Sequence, residues 1–215
     1  GDVYKRQLYI PKINTNGENV TIVSSSSFSK KGLTAIKGDW GNITIIEGSD
    51  NYYSPSAFSG NELMSIPDSW GNVTSIGGYA FQGNRWLTSI PDSWGSITSI
   101  GIYAFGNNKL NSIPDSWGNI TSIEVGVFYT NHISVLPKSW GKITSIGYNA
   151  FLNNRLTSLP ESWGNITSIG NSAFRYNMLV TIPDSWGNVE SIGNGAFHRN
   201  SIGALPDSWG NVESI

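Results

Sequence analysis

The sequence predicts a repeat solenoid, mainly β with short helical or irregular turns, of about eight coils of 23 residues. Three observations carry this. Trp recurs at 40, 70, 94, 117, 140, 163, 186 and 209, the last five gaps all being 23 residues. Phe keeps the same interval: positions 28, 58, 81, 105, 128, 151, 174 and 197 account for all eight Phe of the chain. A beat this strict means stacked units, none able to bury its apolar face alone. Within a coil, finally, the apolar spacing follows neither a sustained 3.6-residue period nor a long alternation.

Three stretches follow in chain order. Residues 1–7 read GDVYKRQ, and Asp2 to Gln7 resemble the conceptual translation of an adapter used in transposase-based sequencing libraries, so they are expected to be an assembly scar outside the fold. Residues 8–18 form an N-terminal lead-in. The solenoid occupies 19–215 and stops within a repeat, an expected truncation. An uncovered last stretch, Val212 to Ile215, would expose apolar side chains and strand edges and invite self-association.

One coil, Leu156 to Met178, reads LTSLPESWGNITSIGNSAFRYNM. Its apolar residues Leu156, Leu159, Trp163, Ile166, Ile169, Ala173 and Phe174 are the expected core, each stabilising the stack by about 1.5 to 3 kcal/mol. Two extended stretches are predicted, L-x-S-I and I-T-S-I, separated by turns at P-D-S and W-G-N. A tight helical or irregular turn is predicted at A-F-x-x-N. Pro after the first stretch lacks a ladder donor and ends it. Gly after the second suits a sharp bend, for which positive φ is available to it. Strands paired in register would set successive coils about 4.8 Å apart.

Two coils depart from the beat. Ten residues, EGSDNYYSPS, lie between Ile46 and Ala57 where Ile76 and Ala80 enclose three. This seven-residue insertion should protrude without breaking the stack. Trp86 is the extra residue of the one 24-residue interval, a surface bulge outside the Trp row.

Composition excludes several classes. With no Cys, disulfides, Cys-zinc sites and thiol catalysis are ruled out. A formal charge of −2 with no basic run lacks the field that phosphate binding needs, so nucleic acid is not an expected partner. No window approaches the roughly 18 apolar residues of a membrane span, and the start does not read as a signal peptide.

The runs I-P-D-S and I-T-S-I-G-x-x-A-F, with N-x-L-x-x-L-P-x-S-x-G-x-I-x-x-I, resemble the BspA-like (Treponema pallidum type) leucine-rich repeats over about residues 19 to 215. Asn61, Asn84, Asn108, Asn131, Asn154, Asn177 and Asn200 stand where that family often carries Cys, and Trp-Gly-Asn is an insertion relative to its pattern. The resemblance implies a curved solenoid on surface-exposed or secreted proteins that serves adhesion and protein binding. It implies no cofactor and no catalytic residue.

Each repeated polar or aromatic row has a structural and a functional reading. The Trp row could be an exposed ladder for stacking sugars, but eight exposed indoles would form a patch that soluble proteins avoid, so core is the favoured reading. Asp68, Asp92, Asp115, Glu161, Asp184 and Asp207 could bind cations; acids after Pro more simply make turn bonds, and no metal site is expected. The Asn row is read as an internal ladder, since an amide offers donor and acceptor to neighbouring backbone. The sequons at Asn19, Asn42, Asn72, Asn119 and Asn165 would accept glycans in a eukaryotic secretory route, though repetition alone explains them. His132 and His198 lie at different repeat offsets about three coils apart, which defeats a His pair or a Ser/His/Asp set. An enzyme is not expected.

What varies between coils lies around A-F-x-x-N: Tyr79, Arg85, Trp86, Tyr103, Lys109, Tyr129, His132, Tyr148, Arg155, Arg175, Tyr176, His198 and Arg199. Tyr, Trp and Arg dominate binding hot spots. The candidate binding edge is therefore Tyr79, Arg85, Trp86, Tyr103, Lys109, Tyr129, Tyr148, Arg155, Arg175, Tyr176 and Arg199, centred on Arg155, Arg175, Tyr176 and Arg199, for a protein or glycan ligand. A solvated turn edge is the alternative, which would leave a structural spacer; a Trp ladder for carbohydrate is a third reading.

Overall fold

The computed structural model describes residues 6–9, 18–38 and 42–209, in which each coil yields one very short parallel strand. Chain order gives β1 (Arg6–Tyr9), β2 (Ile22–Val23), β3 (Leu33–Lys37), β4 (Ile45–Ile46), β5 (Ser75–Ile76), β6 (Ser99–Ile100), β7 (Ser122–Ile123), β8 (Ser145–Ile146), β9 (Ser168–Ile169) and β10 (Ser191–Ile192). Identical repeat positions pair: Ser145 with Ser168, Ile146 with Ile169, Ser168 with Ser191. Register is set by the two-residue side-chain period, because a one-residue slip would turn the buried Ile outward. The expected solenoid is thus present, with strands only two residues long in the repeat. β1 pairs with β3 as a separate two-stranded sheet, so Arg6 and Gln7 of the expected scar lie in a strand.

Three local expectations change. The turn expected at P-D-S is helical, as 3-10 helices at Asp68–Trp70, Asp115–Trp117, Glu161–Trp163, Asp184–Trp186 and Asp207–Trp209, while A-F-x-x-N takes the irregular of its two expected forms. Pro is the reason: its fixed φ starts that turn directly, with Pro160 at φ −70°. The L-x-S-I stretch is a strand only in β3; elsewhere it runs alongside its neighbour through bonds such as Lys109 N–H to Leu87 O at 2.9 Å. The Gly after T-S-I does not sit at positive φ. It is needed for close approach, since a Cβ on Gly101 would lie 2.3 Å from Gly78 N and one on Gly193 2.2 Å from Asn171 N, both on the preceding coil.

The core is a file of like residues. Trp70, Trp94, Trp117, Trp140, Trp163 and Trp186 are fully buried and Trp209 nearly so, while Trp86 is 55% exposed. Trp40 lies outside the described residues. Buried indoles still need a partner for N–H. Trp140, Trp163 and Trp186 donate to the carbonyls of Pro114, Pro137 and Pro160 on the preceding coil, at 3.2, 2.8 and 3.0 Å. The Phe rings stack in a second file, Phe58 on Phe81 and Phe81 on Phe105 at 5.3 Å. The open C-terminal stretch from Val212 lies outside the described residues.

One step of the stack is looser than the rest. β6 and β7 belong to different four-stranded sheets. At intact steps, Thr144 N–H reaches Thr121 O, Ser162 Oγ reaches Lys138 O and Trp163 Nε1 reaches Pro137 O. Among the described residues no corresponding bond leaves Thr121, Ser116 or Trp117 toward the preceding coil. Glu124 follows β7 where Gly77, Gly101, Gly147, Gly170 and Gly193 follow theirs, a repeat position at which an added Cβ would meet the preceding coil's backbone at under 3.0 Å. Glu47 holds the same position after β4, but there the preceding turn is Ser24-Ser25 and Ser25 N–H donates to the Glu47 carboxylate at 3.2 Å.

Candidate functional site

The turn edge is built by two left-handed backbone positions per coil. The second residue before Phe is left-handed at Tyr79, Tyr103, Gly126, Asn149, Ser172 and Gly195, and so is the second residue after Phe at Gly60, Gly83, Asn107, Thr130, Asn153, Tyr176 and Arg199. The chain thereby doubles back sharply, so that the Ala and Phe between the two positions turn into the core while the fourth residue after Phe is thrown outward. The backbone on this edge bonds coil to coil, as in Phe151 N–H to Ala173 O at 2.8 Å. The Asn row closes the remainder from inside, as expected. Asn154 Nδ2 donates to Phe128 O at 2.9 Å and Phe151 O at 3.1 Å, while its Oδ1 accepts from Ile133 N–H at 3.1 Å.

The side chains thrown outward sort by charge. The fourth position after Phe reads Glu62, Arg85, Lys109, His132, Arg155, Met178 and Ser201, which places four basic side chains on successive coils. Beyond the L-x-S-I stretch, the next row is acidic: Asp68, Asp92, Asp115, then Lys138, then Glu161, Asp184 and Asp207. The near-neutral total is an average over segregated rows. Within the acidic row the coils are tied by Ser, with Ser185 Oγ donating to Glu161 O at 2.8 Å and to Glu161 Oε2 at 2.6 Å, so those acids are partly used by the frame.

The insertion protrudes as expected but also folds back over the turn edge. Tyr52 is 62% and Tyr53 87% exposed. Tyr52 packs edge-on against Tyr79 at 5.9 Å, Tyr79 stacks on Tyr103 at 5.3 Å, and Tyr103 meets Tyr129 edge-on at 6.0 Å. Burial pushes the Tyr79 and Tyr103 phenols up, neighbouring Tyr rings adding to it, so both stay neutral. Between the insertion and the basic row runs a groove of about 680 Å³. Its floor is the left-handed row from Gly60 to Thr130, Lys30 joins Arg85, Lys109 and His132 along it, and among the described residues no Asp or Glu lines it. His132 sits between Lys109 and Arg155; burial, then those two cations, hold its pKa below the usual value.

The candidate residues fall into distinct places. Arg85 and Lys109 line the groove, and Lys109 Nζ lies 4.3 Å over the exposed Trp86 ring. Tyr79 is covered by its neighbours at 7% exposure and serves as the groove's wall. Tyr103 and Tyr129 continue its file. Tyr148 is exposed farther along the edge. Arg155 belongs to the basic row, whereas Arg175, one residue after Phe, lies over its neighbour Tyr176 at 4.9 Å, and Tyr176 and Arg199 share the left-handed row. Sequence reasoning missed Lys30, Tyr52 and Tyr53. The paired Tyr in the insertion was the available signal, but only the fold shows that the loop returns to this edge.

A family model for the BspA type leucine-rich repeat region matches the chain in six copies, over residues 3–134, 51–181 and 119–208. No curated protein matches. Among solved structures, the chain is similar to the leucine-rich effector protein YopM from Yersinia pestis, at 23% identity over 81% of this chain and 46% of that one, with a TM-score of 0.49. It is also similar to a leucine rich cell surface protein from Faecalibacterium prausnitzii, at 18% identity over 93% of this chain and 46% of that one, TM-score 0.45. A leucine-rich repeat protein of Leptospira interrogans matches at 14% identity over 85% of this chain and 56% of that one, TM-score 0.46. The chain spans about half the length of these structures.

Proposed function

This chain belongs to the BspA-type leucine-rich repeat family, and from that membership we propose that it is a surface-exposed or secreted recognition and adhesion module, binding a protein or glycan through its turn edge. The observation that carries the reading is where the chain accepts backbone cost. Left-handed φ is free to Gly and costs an ordinary residue about 1 kcal/mol or more. Yet Tyr79, Tyr103, Thr130, Tyr176 and Arg199 occupy it, at φ 58°, 53°, 51°, 57° and 61°, on the same edge as the groove. A spacer needs only the Gly or Asn that other coils place there. The sugar-stacking Trp row is set aside, because the described indoles of that row are buried. No helix among the described residues is long and apolar enough to cross a membrane.

The test is a combined change of the whole edge, Arg85, Lys109, Arg155, Arg175, Tyr176 and Arg199 to Ser, against a change of Asp92, Asp115 and Asp184 to Ser, in binding to host-surface and glycan arrays. The first set is expected to abolish an interaction that the second leaves intact. The opposite result would place binding on the acidic row and overturn the assignment of the edge.

A further inference from the structure

The groove has two unlike walls. On one side stand the ammonium, guanidinium and imidazole groups of Lys109, Arg85 and His132; on the other the insertion presents Tyr52 and Tyr53, backed by Tyr79. Between them the floor is open at Gly83, where a Cβ would meet only Gly60, at 3.7 Å or more, while the Lys30 side chain lies over Gly60 and Asn107 and Thr130 continue the floor with polar side chains. A main chain can therefore approach the backbone at Gly83 and bond to the polar groups on either side of it. In an extended chain successive side chains point to opposite sides, which delivers alternating chemistry to two facing walls. A saccharide carries its charges and ring faces interleaved on both sides and does not sort them this way.

We propose that this groove docks an extended acidic peptide segment of a partner protein, in which carboxylates alternate with apolar side chains. The carboxylates face Arg85, Lys109 and Lys30, and the apolar side chains lie against Tyr52 and Tyr53. Among the described residues no acid in the lining competes for these cations inside the groove. Arg and Lys on adjacent coils stand about 5 Å apart at the backbone, and their long side chains adapt to carboxylates about 7 Å apart on one side of an extended peptide. The proposal rests on the recognition reading of the turn edge and names its partner class and its centre, which moves from the Arg175–Arg199 region to the N-terminal half.

The experiment uses the full 215-residue chain and a labelled eight-residue peptide alternating Glu with Val and Thr, followed by fluorescence anisotropy. The counterpart peptide carries Gln for Glu, and a polyuronate oligosaccharide of equal charge is a third probe. The Glu peptide is expected to bind and to weaken as salt rises, the Gln peptide at least about tenfold less tightly, since exposed charge pairs are modest singly but add across several contacts. Arg85→Ser with Lys109→Ser should cost about tenfold and Tyr53→Ser several-fold; Arg175→Ser with Arg199→Ser should change affinity by less than about twofold. Tyr53 is exposed, so its loss of binding is read without a folding defect. No binding of the Glu peptide, or equal binding of the Gln peptide, overturns the proposal. If the oligosaccharide binds in the groove and the peptide does not, the partner class is wrong while recognition by this edge stands. If only the Arg175/Arg199 change weakens binding, the groove is wrong and the edge stands.

Discussion

Two adjacent asparagines make the sharpest test of how the coils are held together. Asn154 is buried and its amide serves three backbone groups: it donates to Phe128 O and Phe151 O and accepts from Ile133 N–H. Each carbonyl also receives an amide from a neighbouring coil, Asn131 on Phe128 O and Asn177 on Phe151 O, so truncation leaves both half-satisfied. Ile133 N–H has no second partner. Orphaning it costs about 1–3 kcal/mol and the two lost carbonyl bonds about 0.5–1.5 kcal/mol each, so Asn154→Ala is expected to destabilise by about 2–6 kcal/mol. Asn153 sits next to it, exposed, at φ 57°, with a single 3.4 Å contact to Thr130 Oγ1. Asn153→Gly should be neutral or stabilise by up to about 1 kcal/mol, because Gly adopts that φ freely. Urea unfolding followed by Trp fluorescence reads both, the buried indole file reporting directly on the stack. A cost below about 1 kcal/mol for Asn154→Ala, or a larger cost for Asn153→Gly, would refute the claim that the Asn file closes the turn edge.

Glu124→Gly is expected to let β6 and β7 pair and to raise the melting temperature by about 2–4 °C, the equivalent of about 1 kcal/mol in a chain of this size after the entropic cost of Gly. Scanning calorimetry that finds the temperature unchanged or lower would show that the Glu124 side chain does not hold the step open. For His132, the folded pKa lies below the unfolded value, so its contribution to stability is present above pH about 6.5 and is lost as pH falls from there through the lower folded pKa. Because it is partly exposed between Lys109 and Arg155, the loss is small, but an acidic peptide in the groove should reverse the preference and bind more tightly as pH falls from about 7 to about 5.5. His132→Gln is expected to flatten that pH dependence, and an unchanged profile would remove His132 from the site.

The repeat, its period, the core list and the Asn file were legible because each depends on residues that recur, and recurrence is visible without coordinates. Even Trp86 could be set outside the Trp row from a single extra residue. Less legible was everything that depends on where one coil meets the next. Gly101 looks like a turn residue in sequence; its reason is the backbone of Gly77 and Gly78 on the preceding coil. The acids after Pro suggested self-bonded turns, whereas the bond between coils comes from Ser, as in Ser93 Oγ to Asp68 O at 2.7 Å. Net charge misled most about the surface. Counted along the chain, the charges nearly cancel; folded into coils, Arg85, Lys109, His132 and Arg155 fall in one row and the acids after Pro in another. A solenoid converts sequence spacing into surface rows, so charge must be counted per repeat position.

That conversion also explains why variation collects on one edge and why the loose step falls on the other. On the turn edge the bonds between coils run from backbone to backbone or through the buried Asn, so the outward side chains carry no structural duty and can be Gln, Asn, Tyr or Arg. On the P-D-S-W and T-S-I sides side chains add to the backbone bonds of the strands: Trp Nε1 to Pro O, Ser Oγ to the acid's carbonyl, Thr Oγ1 to Thr O, as in Thr167 to Thr144 at 3.2 Å. There a departure such as Glu124 is not absorbed. The same step keeps every bond type on the turn edge, with Tyr103 N–H to Val125 O at 2.8 Å and Asn107 N–H to Tyr129 O at 2.7 Å. The edge that tolerates change is thus also the edge that stays continuous, and the groove crosses the loose step on an unbroken floor. A recognition surface needs both properties at once, free side chains on a fixed backbone, and in this chain only the turn edge combines them.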